Sequence, residues 1–275
     1  MYREKLCLGL MSELGDRVKQ VKLIADTGFE GYFACIGHEL RELKKAGDEA
    51  GITLQSIHAP FSKMDAMWYE SDMTQAAVDE LIDSVRQTAD VEAPITVIHA
   101  FIGFEKHSPT ALGIETFGKV VQEAGRLGVK VAFENTEGEE YLAALMDAFK
   151  GEKHVGFCWD TGHEMCYNRS KDMLALYGDR LFCTHINDNL GINDFGGEIT
   201  WIDDLHLLPF DGIGNWQDIA ARLDRHGFND FLTFELTTGS KPGRYENDVY
   251  KKLSPEEYLA EAYKRACRVA SLRQH

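Results

Sequence analysis

The chain has 275 residues and is 44% hydrophobic, enough for a sizeable core and suited to one large domain over residues 1–275. Its 29 basic and 45 acidic residues give a formal net charge of −16, a surface that repels a phosphate backbone and so disfavours nucleic acid as a partner. No stretch is long and apolar enough to span a membrane, and the start, MYREKLCLGLM, lacks the apolar region and cleavage motif of a signal peptide.

The elements alternate along the chain. Residues 6–11 read as a first strand, and 16–27 as a helix with Val18, Val21, Ile24 and Ala25 on one face, ended by Gly28. A strand over 32–36 and a helix over 38–50 follow, then a strand over 53–58 broken by Pro60. The connection 61–71 is rich in aromatics and Met (Phe61, Met64, Met67, Trp68, Tyr69), as either a cover over a substrate or a segment packed against neighbouring loops would be. Next come a long amphipathic helix over 72–91, a strand over 95–101, and a helix over 109–127 with Pro109 near its first turn. Strands at 130–134, 155–160 and 181–186 are separated by short helices at 139–149 and 170–177. The connection 187–215 is long and carries five glycines (Gly191, Gly196, Gly197, Gly212, Gly214), a length typical of functional or disordered loops. A helix over 216–226, a strand over 231–236 and a second long loop, 237–253 with Lys241 and Arg244, lead to the last helix, 255–272. Ser254 and Glu257 supply a capping box for that helix.

Eight strands alternating with eight helices imply right-handed βαβ units and a parallel sheet, and at this length a (β/α)8 TIM barrel. An open doubly wound sheet is the alternative. It is disfavoured because LGLMSELGDR, after the first strand, does not match GxGxxG. The six cysteines form no CxxC pair, and several lie inside apolar runs, where a free thiol acts as a small hydrophobe. That usage fits a reducing, cytoplasmic location.

Six of the apolar runs end in a metal-type ligand: LQSIHAP at His58, ITVIHAF at His99, KVAFENT at Glu134, VGFCWDTGH at Asp160 and His163, LFCTHIND at His185, and FLTFEL at Glu235. A seventh, WIDDLHL with Asp204 and His206, is a weaker strand candidate. Buried acids and imidazoles are costly unless paired or coordinated, so their repetition at strand after strand suggests convergence on one point. Two residues before each ligand stand Ser56, Val97, Ala132, Cys158, Cys183 and Thr233, small enough for a barrel interior. One residue before stand Ile57, Ile98, Phe133, Trp159, Thr184 and Phe234, mostly large and apolar, as the helix-facing side requires. Glu134, Asp160, His185 and Glu235 offer three carboxylates and one imidazole, a set that suits one divalent ion: Mn2+, Zn2+, Co2+ or Mg2+. Such an ion can polarise a sugar carbonyl while Glu134 and Glu235 move a proton at the neighbouring carbon through an enediolate.

The motifs His58-Ala-Pro, Phe133-Glu134-Asn135, Asp160-Thr-Gly-His163, His185-Ile-Asn-Asp188-Asn189 and Phe234-Glu235 resemble those of the xylose-isomerase-like barrels. That group holds sugar phosphate isomerases and epimerases, ketose 3-epimerases, inosose dehydratases and the endonuclease IV family, and the resemblance covers nearly the whole chain. Likeness to the ketose 3-epimerases implies a metal on Glu134, Asp160, His185 and Glu235. It also implies that the two glutamates double as the acid/base pair and that His163 touches substrate oxygens. Likeness to endonuclease IV implies instead a trinuclear zinc phosphodiesterase, since candidates for all nine ligands occur in order: His58, His99, Glu134, Asp160, His163, His185, Asp204, His206 and Glu235. The reading preferred on the sequence is a metal-dependent sugar or sugar phosphate isomerase/epimerase with a small sugar substrate. A related dehydratase or lyase stands beside it, and His58, His99, His163 and His206 contact the sugar. A homo-oligomer is compatible with either likeness.

Overall fold

Eight short apolar runs lie side by side in the computed structural model, which describes residues 4–105, 108–192 and 198–274. The strands are β1 (Leu6–Gly9), β2 (Gly31–Cys35), β3 (Thr53–His58), β4 (Ile95–His99), β5 (Lys130–Glu134), β6 (Val155–Asp160), β7 (Leu181–His185) and β8 (Leu232–Phe234). Neighbours pair in parallel in the order β7-β6-β5-β4-β3-β2-β1-β8. The two ends of this sheet meet through an Ile186–Phe234 bridge, with Ile186 N donating to Thr233 O at 2.7 Å and Glu235 N to Ile186 O at 3.2 Å. The result is the expected (β/α)8 TIM barrel.

The helices are α1 (Arg17–Thr27), α2 (Leu40–Ala50), α3 (Thr74–Asp90), α4 (Ala111–Leu127), α5 (Glu139–Ala148), α6 (Thr161–Met165), α7 (Met173–Tyr177), α8 (Trp216–Arg225) and α9 (Pro255–Ala270). Among the described residues none is long and apolar enough to cross a membrane. Side chains sort as the period-2 pattern expects. Ile95, Val97, Ala132, Cys158 and Cys183 form a small buried cluster of their own, apart from the large core in which Ile57, Ile98, Phe133, Trp159 and Phe234 pack with the helices. Gly9 lies against Phe33: a Cβ there would sit 2.5 Å from its ring, so only glycine leaves the room. All six cysteines are free thiols.

Several boundaries differ from the sequence reading. β1, β4 and β8 are shorter than expected, ending at Gly9, His99 and Phe234, where the chain turns into the carboxyl-end loops. Pro109 lies outside α4, whose N-cap is Thr110; its hydroxyl accepts from Gly113 N at 3.1 Å. The expected helix over 170–177 begins only at Met173, capped by Asp172, and α6 precedes it directly after β6. Within 237–253 a 3-10 stretch covers Glu246–Lys252. The run WIDDLHL is loop, tied to the barrel top by an antiparallel Asp188–Leu207 bridge. In the connection 187–215, Gly196 and Gly197 lie outside the described residues. The rest is organised by buried Asp188, whose carboxylate accepts from Asn189 N, Gly214 N, Phe210 N and Trp216 Nε1 at 2.9, 2.9, 2.9 and 3.2 Å.

Candidate metal centre

Parallel strands end on the same face, and their register decides which ends are neighbours. His99 stands beside Glu134 across β4–β5, and Asp160 beside His185 across β6–β7. All nine residues that the sequence marks as ligands therefore gather at the carboxyl end of the barrel. Glu134, fully buried, is the hub. Its Oε1 lies 2.8 Å from His185 Nδ1, and its Oε2 lies 3.2 Å from His58 Nε2 and 3.3 Å from His99 Nε2. His185 Nδ1 is also 2.9 Å from Glu235 Oε2. On the other side, His163 Nε2 is 3.5 Å from Asp204 Oδ1, and His206 Nε2 is 3.0 Å from Asp204 Oδ2.

Among the described residues the donor atoms fall into sets with every member within 4.8 Å of the others: Glu134, Asp160, His185 and Glu235; His58, His99 and Glu134; His163, Asp204 and His206; and Glu134 and His185 with Cys158. The surroundings suit a cation. His58 Nδ1 lies 2.8 Å from Ala59 O and His206 Nδ1 3.3 Å from Glu235 O. A ring nitrogen that donates to a carbonyl orients its imidazole, here with Nε2 facing the carboxylates, where a metal ion would take the place of any proton on it. Asp204 Oδ1 is buried with no well-formed hydrogen bond among the described residues, His163 Nε2 standing off at 3.5 Å, and is an acceptor that a positive ion would satisfy.

Three residues next to the ligands hold them in place. Asn135, directly after Glu134, donates to Asp160 O and accepts from Asp160 N, both at 2.8 Å, locking β5 to the end of β6. Asn187 donates to Asp160 Oδ2 at 2.8 Å, while His163 N donates to Asp160 Oδ1 at 2.6 Å. Phe33 stacks on the His185 imidazole, with centroids 4.7 Å apart. The FEN and HINDN motifs carry the two asparagines, but nothing local in the sequence assigns them to Asp160, and Phe33 has no signal beyond strand alternation.

Electrostatics follow from packing these groups in a dry site. Burial opposes charge on Glu134, yet His185, His58 and His99 outweigh it and hold its carboxyl well below the usual range. Glu235 is likewise brought down to about 2, with burial overcome by His185 and His206. Burial wins at Asp160, raising it to about 6 against the pull of His163 and His206. The imidazoles respond in turn. Burial disfavours their charge, but Glu134 and Glu235 hold His185 well above its ordinary value, and Asp204 lifts His206 to about 9. His163 is raised well above its ordinary value by Asp160 and Asp204, whereas burial lowers His99. Protons on His163, His185 and His206 supply positive charge beside the carboxylates.

Above the ligands lies a cavity of about 430 Å³, within the usual range for small-molecule sites. His58, His99, His163, His206 and Glu235 line it, together with an aromatic wall. That wall includes Phe61, 43% exposed and stacked on His99 at 4.5 Å, and Trp201, 52% exposed. Phe61 and Trp68, expected as cover, part company: Phe61 lines the cavity, while Trp68 is buried and donates to Ala100 O at 2.7 Å. Lys241 reaches from its long loop to within 3.3 Å of Asp204 Oδ2. His206 sits at φ 47, in the left-handed region that non-glycine residues seldom adopt.

A family model described as xylose isomerase-like TIM barrel matches residues 16–266. The uncharacterized protein y4fM of Sinorhizobium fredii is 27% identical over 265 residues, spanning 83% of this chain and 82% of its own. A probable endonuclease 4 of Lysinibacillus sphaericus is 26% identical over 164 residues, 52% of this chain and 54% of its own. Among solved structures, IOLI protein with a bound zinc atom superposes with a TM-score of 0.74 at 18% identity, over 97% of this chain and 98% of that one. D-psicose 3-epimerase of Clostridium cellulolyticum H10, with D-tagatose, gives a TM-score of 0.71 at 15% identity, over 98% and 100%. At such identities the structural likeness establishes the shared barrel.

Proposed function

The chain belongs to the xylose isomerase-like TIM barrel family, and we propose that it is a metal-dependent isomerase or epimerase acting on a sugar. The observation that carries this reading is the placement of Glu235, a carboxylate that belongs to the four-donor set and also lines the cavity. Glu134, Asp160, His185 and Glu235 would hold one divalent ion, Mn2+, Zn2+, Co2+ or Mg2+. Such an ion, when bound, polarises a carbonyl and offsets charge on its oxygen. The protein residues do the rest. Glu235, held ionised by His185 and His206, accepts the proton from the carbon beside the carbonyl. Glu134, a donor in the same set, is the second member of the acid/base pair, so that a proton taken on one side returns on the other. His58, His99, His163 and His206 line the cavity and orient the sugar hydroxyls. The test is solvent exchange. Protein loaded with metal should introduce deuterium from deuterated water into a ketose or inosose, and Glu235→Gln should lower that rate by a factor of about 100 or more. No deuterium uptake across ketoses, their phosphates and inososes would end this reading.

A second reading is favoured by one specific observation. Two of the other three sets, His58 with His99 and Glu134, and His163 with Asp204 and His206, draw on residues beyond the four donors and could each hold an ion. A centre of three ions fits a phosphodiesterase, and the probable endonuclease 4 relative points the same way. The charge of −16 weighs against a nucleic-acid substrate. Elemental analysis separates one ion per chain from three, and cleavage of an abasic-site oligonucleotide without sugar exchange would establish the hydrolase.

A further inference from the structure

The ligand-lined cavity does not end at the metal donors. A second cavity of about 380 Å³ shares Gly103, Phe104, Glu137 and Tyr167 with it, so the two are compartments of one groove. Phe104 and Tyr167 stand at the junction with ring centroids 5.7 Å apart, and Phe104 is 42% exposed, its ring open to a ligand in the groove. Among the described residues the outer compartment is otherwise walled by the carboxylates Glu105, Glu137, Glu140 and Glu198 and by Arg169. Lys241, the sole lysine or arginine lining the inner compartment among the described residues, lies against Asp204 and over the Trp201 ring at 5.5 Å.

Resting on the sugar isomerase or epimerase reading, we propose that the substrate is an uncharged glycoside of at least two rings. The reacting ketose unit lies over the four-donor set, and the second ring lies in the outer compartment against Phe104 and Tyr167. Two kinds of side chain make that compartment suited to a neutral sugar ring. An aromatic face packs against the apolar C–H face of a pyranose. Carboxylates accept hydrogen bonds from ring hydroxyls, for which an ionised Glu is an acceptor only. The same carboxylates repel a phosphate, whose charge would enter a compartment where, among the described residues, acidic side chains outnumber basic ones. A free monosaccharide would leave the outer compartment to water.

The experiment is a calorimetric titration of the metal-loaded full chain with three probes: D-fructose, lactulose (a ketose bearing a galactosyl ring) and D-fructose 6-phosphate. Deuterium uptake by each probe is measured in parallel. Lactulose should bind more tightly than D-fructose by a factor of about five to ten, the scale of one good aromatic contact, and the phosphate should bind most weakly. Phe104→Ala should shrink the ratio of the two affinities toward one, and E140Q combined with E198Q should narrow the discrimination against the phosphate. Equal affinity for D-fructose and lactulose, or preference for the phosphate, would overturn the glycoside assignment. Deuterium uptake into D-fructose with no advantage for lactulose removes this inference and leaves the isomerase reading standing. Tighter lactulose binding without deuterium uptake from any probe does the reverse.

Discussion

Metal loading should release protons, and their number distinguishes the two readings of the centre. In the metal-free protein at neutral pH, His185 carries a proton because Glu134 and Glu235 hold its pKa well above the ordinary value. A nitrogen that takes a metal must give that proton up. One ion on Glu134, Asp160, His185 and Glu235 therefore displaces about one proton, and its affinity rises about tenfold per pH unit, or about 1.4 kcal/mol. The sign follows from the raised pKa: the bound proton competes with the metal at low pH, and the competition fades as pH climbs through the folded value. Below the Asp160 pKa of about 6 a second proton joins the competition and the dependence steepens. Three ions would also engage His163 and His206, both raised, and release at least three protons, a dependence of about a thousandfold per pH unit over the whole centre. Calorimetric titration with Zn2+ in two buffers of different ionisation heat gives the count directly. Metal affinity independent of pH, with no proton released, would refute the charge distribution derived for the site.

Asp160→Ala removes one charged donor from a set of four and should lower the affinity for the first ion by more than about 100-fold, read by elemental analysis after dialysis; unchanged metal content would rule Asp160 out as a ligand. Gly162→Ala tests the support behind it. A Cβ at that position would sit 1.8 Å from Asn187 Oδ1, displacing the side chain that donates to Asp160 Oδ2. We expect a loss of about 10–100-fold in metal affinity and about 1–3 kcal/mol in stability by denaturant titration. Wild-type affinity in that variant would show that Asn187 does not position Asp160.

Much of this barrel is legible in the sequence because the signals are local. Alternation within each strand separates Val97, Ala132, Cys158 and Cys183, clustered by themselves, from Ile98, Phe133 and Trp159, which pack with the helices. The change from a period of two to a period of 3.6 marks each strand-to-helix passage, and glycines such as Gly28, Gly51 and Gly128 stop helices by adopting left-handed φ. Placing Glu134, Asp160, His185 and Glu235 at strand ends needed no more than this. Element ends were less legible. Pro109 and residues 170–172 look helical in isolation, but the caps that start α4 and α7 lie at Thr110 and Asp172, where side chains meet backbone N–H groups.

The sequence suggested convergence and one set of four donors, but not which of the nine ligands meet atom to atom. Glu134 meets His58 across 76 residues and His185 across 51, distances in sequence that only strand register and barrel closure bring to about 3 Å. Asp204 and His206 lie in a loop with no period to read, and their place beside His163 depends on the Asp188–Leu207 bridge that pins the loop to the barrel top. The roles of Asn135, Asn187 and Phe33, and the groove walled by Phe104 and Tyr167, are likewise relations between elements. A short sequence pattern reports the face a side chain takes on its own strand or helix. What that face meets is decided by the closure of eight strands into one ring, and in this protein that closure turns separate strand-end acids and imidazoles into one charged, buried centre.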